Sequence, residues 1–276
     1  MNKIISISMF FFVAPLFSKA QFFYKDIIST TQAAEELETY QMSGVHNIKI
    51  NSIESNGEPS EGFYCEKKIS KDYKKVTLYT RLNGSSKSIL ISYYNNKKQL
   101  LRTYDSAEIV VSYNEYEYDN KGRLTSIKYT SHSNDDDFVN QITEEHVYFY
   151  KEENVPQSMY RIKNSTDTTM VLFSLDEHNN ISIEKETKNA SKYYYYYNTS
   201  HKLTDIVHSN EYKNKLVADY LFEYNAQGLL SQMTTTEDGN DNFSIWKYSY
   251  DDKLKTQERI FSKDGVLLGK MEYEYK

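Results

Sequence analysis

A strand-and-turn unit recurs about every 26 residues along most of this chain, and nothing else limits its fold as strongly. Anchor residues fall at Tyr93, Tyr118, Tyr150, Leu175, Tyr197, Tyr224, Tyr250 and Tyr275. Two positions earlier stand Ile91, Tyr116, Tyr148, Phe173, Tyr195, Phe222, Tyr248 and Tyr273. Four positions earlier the series is Ile89, Asn114, His146, Val171, Tyr193, Tyr220, Trp246 and Met271. Apolar residues at every second position mark a strand with one buried face. A polar turn follows, as in "YDNKGRL" (118–124), "LDEHNNI" (175–181), "YNTSHKL" (197–203) and "YNAQGLL" (224–230). Asp or Asn after a strand binds the local backbone, and Gly122 and Gly228 accept positive φ. An aliphatic residue then opens the next strand, and Asp264-Gly265 supplies a hairpin signal in the last unit.

A unit of this length holds two strands of about nine residues and two turns. The predicted fold is all-β: a curled antiparallel meander of repeated β-hairpins, with on the order of fourteen to sixteen strands. "NIKINSI" and "KKVTLYTRL" read as early strands of the same sheet. A short helix is predicted over 30–42, with Thr30 or Thr31 as N-cap and Ala33, Leu37 and Tyr40 on one face. Free edges of an open sheet invite pairing, so homodimers through those edges are expected.

The chain has 27 Tyr but only 3 Pro and 9 Gly in 276 residues, which favours long regular strands over a loop-rich fold. Its formal charge is −6 and no basic stripe is present, which argues against nucleic acid and against an anionic membrane surface. Lys3, the apolar run 4–17 and the small-residue site Ser18-Lys19-Ala20 read as a secretory leader, so the protein is expected to be exported. No later segment has the ~18 apolar residues of a membrane-crossing helix. Residues 1–20 are thus a leader, 21–62 an N-terminal segment with the helix, and 63–276 the hairpin repeats. Cys65 is the sole cysteine and reads as a small buried residue.

Catalytic chemistry finds little support. Histidines 46, 132, 146, 178, 201 and 208 lack metal-ligand spacing, and strand packing accounts for His146. "NDDD" (134–137) and "EDGNDN" (237–242) fail the calcium-loop pattern and read as solvated turns. No nucleophile elbow or phosphate loop occurs. No catalytic residue, metal or cofactor is expected.

"YDNKGRLTSI", at Tyr118, Asp119, Gly122, Arg123, Leu124 and Thr125, resembles the YD repeat of Rhs-type and teneurin-like proteins. The resemblance implies coiled hairpins and carbohydrate binding. It covers roughly residues 89–276, with looser matches at Tyr224 and Tyr250. The units here are too few to enclose a cargo, and the overall vocabulary is similar to small secreted proteins of the Bacteroidota.

The second face of the strands is polar in the end repeats but apolar in the middle ones. Val147, Phe149, Leu172, Tyr194, Tyr196 and Leu221 form an apolar patch there. The helix over 30–42 is expected to cover it; an external ligand is the competing occupant. Tyrosine faces stack on sugar rings at low entropy cost. The reading that results is an exported, non-enzymatic binding or structural module for a glycan or another envelope component. The alternative is a periplasmic half-barrel that carries a lipid or hydrophobic peptide in its concave face.

Overall fold

A computed structural model describes residues 22–107, 109–133, 141–151, 154–189, 191–210, 215–236 and 242–276. The leader-like segment 1–20, "NDDD" and most of "EDGNDN" lie outside the described residues. Among these residues, one helix, α1 (Lys25–Met42), precedes eighteen strands. These are β1 (Asn47–Glu54), β2 (Tyr64–Ile69), β3 (Lys75–Arg81), β4 (Ser88–Tyr94), β5 (Leu100–Ser106) and β6 (Val110–Tyr118). Next come β7 (Leu124–Ser133), β8 (Ile142–Phe149), β9 (Ser158–Lys163), β10 (Asp167–Leu175), β11 (Ile181–Glu186) and β12 (Lys192–Tyr197). The last six are β13 (Leu203–Asn210), β14 (Lys215–Tyr224), β15 (Leu230–Thr236), β16 (Phe243–Asp251), β17 (Leu254–Ser262) and β18 (Leu267–Tyr275).

Each strand pairs antiparallel with the next, and the meander closes on itself. β1 pairs with β2 on one side and with β18 on the other, with Ile50 opposite both Cys65 and Tyr273. The sheet is therefore a closed barrel and not the open curled meander expected. Closure leaves no unpaired edge among the eighteen strands, which removes the physical ground for edge-to-edge dimers.

The turn chemistry repeats five times with one geometry. The Oδ1 atoms of Asn95, Asp119, Asp176, Asn198 and Asn225 each accept from the N–H groups two and four residues on, at 2.8–3.1 Å. The residue three after each Asx has positive φ: Lys98, Gly122, Asn179, His201 and Gly228. Only two of the five are glycine, so the Asx side chain organises the turn and glycine merely eases it.

This geometry also corrects the phase of the first unit. The bulge falls between Tyr93 and Tyr94, and the turn starts at Asn95. The anchor is thus Tyr94, not Tyr93. Ser92 is buried, whereas Tyr93 lies under Arg102 and Lys75 on the outer wall.

The backbone accounts for why the anchor is a tyrosine. The ladder between β5 and β6 begins at Arg102–Glu115, so the carbonyl of Leu100 has no ladder partner there. The hydroxyl of Tyr118 donates to it at 3.0 Å. The same tie joins Tyr150 to Leu124, Tyr197 to Ile181, Tyr224 to Leu203, Tyr250 to Leu230 and Tyr275 to Lys255, at 2.6–2.9 Å. Phenylalanine would fill the same space and leave a half-buried carbonyl unmet. Tyr118→Phe is expected to lower stability by about 1 kcal/mol, read by urea unfolding, because one net hydrogen bond is lost.

Inside the barrel sits α1. Its N-terminal end, with Phe22 and Phe23, packs in one cluster with residues of β7, β8, β10, β11, β12 and β13. Leu37 and Tyr40 at its other end pack with Ile48, Ile50, Cys65, Leu78 and Met271 of β1, β2, β3 and β18. A helix that meets opposed arcs of a closed ring lies within it. Eighteen residues span about 27 Å, enough to bridge the lumen. The expectation that the helix covers the outer patch is therefore wrong: it fills the concave side. It also starts at Lys25 rather than 30, because its buried face includes Asp26 and Thr30, which no apolar periodicity marks. Cys65 is buried as expected, and burial pushes its thiol up to about 11, which makes it a poor nucleophile.

Candidate functional site

Alternation along the strands sorts the six patch residues onto the outer wall. Tyr193 and Tyr195 point inward at 4% and 3% exposure, while Tyr196 between them and the turn is 47% exposed. Phe149, Leu172 and Leu221 are exposed as well, and Val147 and Tyr194 are half-buried. The registers connect them into a strip. Val147 lies opposite Tyr160, whose ring centroid is 5.3 Å from that of Phe149. Leu172 lies opposite Lys185, and Ile183 opposite Tyr194. Tyr196 and Leu221 flank Asp205 on either side. The strip crosses β8 to β14, a width of about 29 Å at the usual strand spacing.

Sequence reasoning missed Tyr160, Ile183 and Lys185. They sit on the returning strand of each unit, where no anchor series runs. Simple alternation from the buried Ile181 would place the last two inside; the bulge at Ser174/Leu175 shifts the period, so that Glu184 faces inward and Ile183 and Lys185 outward.

Elsewhere on the outer wall, charged residues are interspersed among tyrosines such as Tyr93 and Tyr113. Lys49 lies between Glu66 and Glu274, and Arg102 lies opposite Glu115. Lys247 and Lys270 both flank Arg259. The apolar strip therefore does not encircle the barrel as a bilayer belt would. No helix among the described residues is long and apolar enough to cross a membrane.

Within the lumen lies a second constellation that the sequence did not announce. His146, on β8, stands opposite Ile127 and points inward. Its Nδ1 lies 2.5 Å from Asp26 Oδ2 of α1, and its Nε2 lies 2.8 Å from Glu144 Oε1. With a carboxylate on each side, both ring nitrogens donate, so the imidazole is a cation. Burial opposes that charge, but Asp26 and Glu144 outweigh it and raise the pKa. Tyr129 and Tyr148 donate to Asp26 at 3.0 and 2.8 Å, and Arg161 pairs with Glu144 at 3.0 Å. Burial alone would raise Asp26, yet its partners hold it below the usual carboxylate range. Glu144, against the same cost of burial, is held down to about 2 by His146 and Arg161.

Glu184 of β11 holds the start of the helix. It accepts from the N–H groups of Phe23 and Tyr24 and from the Tyr195 hydroxyl, at 2.8–3.0 Å. Burial pushes its carboxyl up to about 7 despite those donors. A carboxylate near a helix N-terminus also meets the positive end of the helix dipole. The composition of this cluster is that of a proton relay, but its position is structural. His146 is 1% exposed and Asp26 is 3% exposed, so neither meets a substrate from solvent. Among the described residues, no group of three or more His, Cys, Asp or Glu is arranged to hold a metal ion.

No protein-family profile matches the chain, and no curated protein matches it. Solved structures do. A porin-like protein from Bacteroides uniformis aligns at 9% identity over 84% of this chain and 98% of its own, with a TM-score of 0.36. A porin-like protein from Bacteroides vulgatus aligns at 10% identity over 74% of this chain and 98% of its own, with a TM-score of 0.34. TcdB2-TccC3 without its hypervariable C-terminal region aligns at 12% identity over 84% of this chain but 14% of its own, with a TM-score of 0.37.

Proposed function

We propose that this chain is a non-catalytic binding module of the cell envelope or its exterior, and that it docks a glycan along the outer strip of β8–β14. The observation that supports this reading is the division of labour between the two faces. The concave face is occupied by α1 and the inward tyrosines, held by a buried network whose polar groups engage one another. The outer strip stays uncovered by α1 and exposes tyrosine and aliphatic side chains side by side. Such surfaces suit sugar rings, whose apolar faces stack on aromatics while their hydroxyls stay wet. A lipid carrier would need the concave face open. Export through the leader-like residues 1–20 belongs to the same proposal.

The test is titration calorimetry against envelope and host glycans, with Tyr196→Ala beside the parent. The parent is expected to bind at least one glycan class. The variant is expected to lose about tenfold in affinity with an unchanged melting temperature, since Tyr196 is an exposed side chain outside the core. Absence of heat with every glycan would discard the reading.

A further inference from the structure

We infer that the ligand of the outer strip is an acidic polysaccharide, with its carboxylates held by a Lys185–Lys192 pair. The inference rests on the glycan reading above and adds the charge of the glycan to it.

Lys185 of β11 and Lys192 of β12 lie directly opposite one another in register. Both project outward, because their neighbours Glu184 and Tyr193 are buried on the inner side. Side chains at such positions stand about 4.5–5.5 Å apart at Cβ, and like charges there repel. The outward cation Lys128, near the edge of the strip, has acidic cross-strand neighbours on both sides, Glu115 and Glu145. Neither Lys185 nor Lys192 forms an ion pair among the described residues. Their outer-wall neighbours Leu172, Ile183 and Tyr194 carry no charge. The fold thus holds two cations against each other on an apolar wall.

A carboxylate placed between them would offset the repulsion and accept charge-assisted hydrogen bonds from both. Lys192, Tyr194 and Tyr196 leave β12 on one face at steps of about 6.6 Å. A sugar stacked on the tyrosines therefore brings its neighbour in the chain over the lysine pair. A polymer fits better than an anionic lipid surface. Asp205 lies in the strip beside Tyr196, and pressing it into lipid is costly, whereas a solvated polymer leaves it wet. The chain's net charge of −6 also opposes a broad anionic surface, while a thin polymer feels only charges within about 10 Å.

The full chain would be titrated with oligogalacturonates, with neutral β-glucan oligosaccharides of equal length and with phosphatidylglycerol vesicles. Lys185→Gln/Lys192→Gln and Tyr196→Ala would be run in parallel. Oligogalacturonates are expected to bind at least about tenfold more tightly than the neutral series, as two charge-assisted contacts imply. The double lysine variant should lose that margin, keep its neutral-glycan affinity and melt no lower than the parent. Tyr196→Ala should weaken both series. Equal binding of acidic and neutral chains, unchanged by the lysine variant, would overturn this inference and leave the glycan reading standing. Binding of neither series, or of vesicles alone, would overturn both. A lysine variant that melts below the parent would show that the pair is not in repulsion, which also overturns the inference.

Discussion

Asp26→Ala is expected to make this barrel unfold about 3–5 kcal/mol more easily, the loss typical when one partner of a buried ion pair is removed. Three partners lose a contact together: Tyr129 loses its acceptor, the His146 cation keeps only Glu144, and Tyr148 keeps only the Phe23 carbonyl. His146 is 1% exposed, so water does not replace Asp26 without opening the lumen. The imidazole would then shed its proton or expel the start of α1, and either route costs stability. Urea unfolding followed by tyrosine fluorescence measures the change. The pair is separable from the helix it ties by a double-mutant cycle with His146→Gln. A coupling of about 0.5–3 kcal/mol between the two sites is expected for residues in contact. A loss below about 1 kcal/mol for Asp26→Ala would mean that apolar packing alone seats α1.

The pH profile of stability should be the second large effect, with a maximum near about pH 5. Glu184 has a folded pKa of about 7, above the ordinary carboxyl value, so the folded state binds its proton more tightly than the unfolded state does. Its contribution is complete below about pH 4.5 and is lost as pH rises through 7, a decline of about 3 kcal/mol. His146 acts in the same direction: its folded pKa is raised, so its contribution is present below about pH 6.5 and falls as pH rises through the folded value. On the acid side the signs reverse. Asp26 and Glu144 are held below their ordinary values, so their contributions are present above about pH 4 and are lost as they protonate. Thermal melts from pH 3 to 9 test the profile. Glu184→Gln should flatten the limb between pH 5 and 7 and leave the acid limb in place. A profile that still climbs from pH 5 to 8 would refute this assignment.

Much of the barrel wall is legible in the chain of residues alone. Period-2 apolar series mark the inward face of the anchor strands, and Tyr193 and Tyr195 are buried where Tyr194 and Tyr196 are not. The turns are legible because an Asx side chain binds backbone only two and four residues away. The repeat units hold fifteen strands, β4–β18, as expected, and the two early strands are β1 and β3. Only β2 is unmarked: "YCEKKI" places Lys67 inside the barrel against Glu36 of α1 and so lacks an apolar alternation. Tyr93 and Tyr94 satisfy the anchor spacing equally well, and only the bulge between them tells them apart.

Short-range forces decide extended backbone, alternation of faces and a turn every dozen or so residues, and these the sequence dictates unaided. Closure and the seat of α1 depend on the tertiary structure. Phe23 meets Glu184 across 161 positions and Asp26 meets His146 across 120. Asp26, His146 and Glu184 read as polar residues to be solvated until those distances collapse. Buried at this end of the lumen, the same groups have no water to turn to, so they must find one another, and that requirement seats the start of α1 inside the barrel.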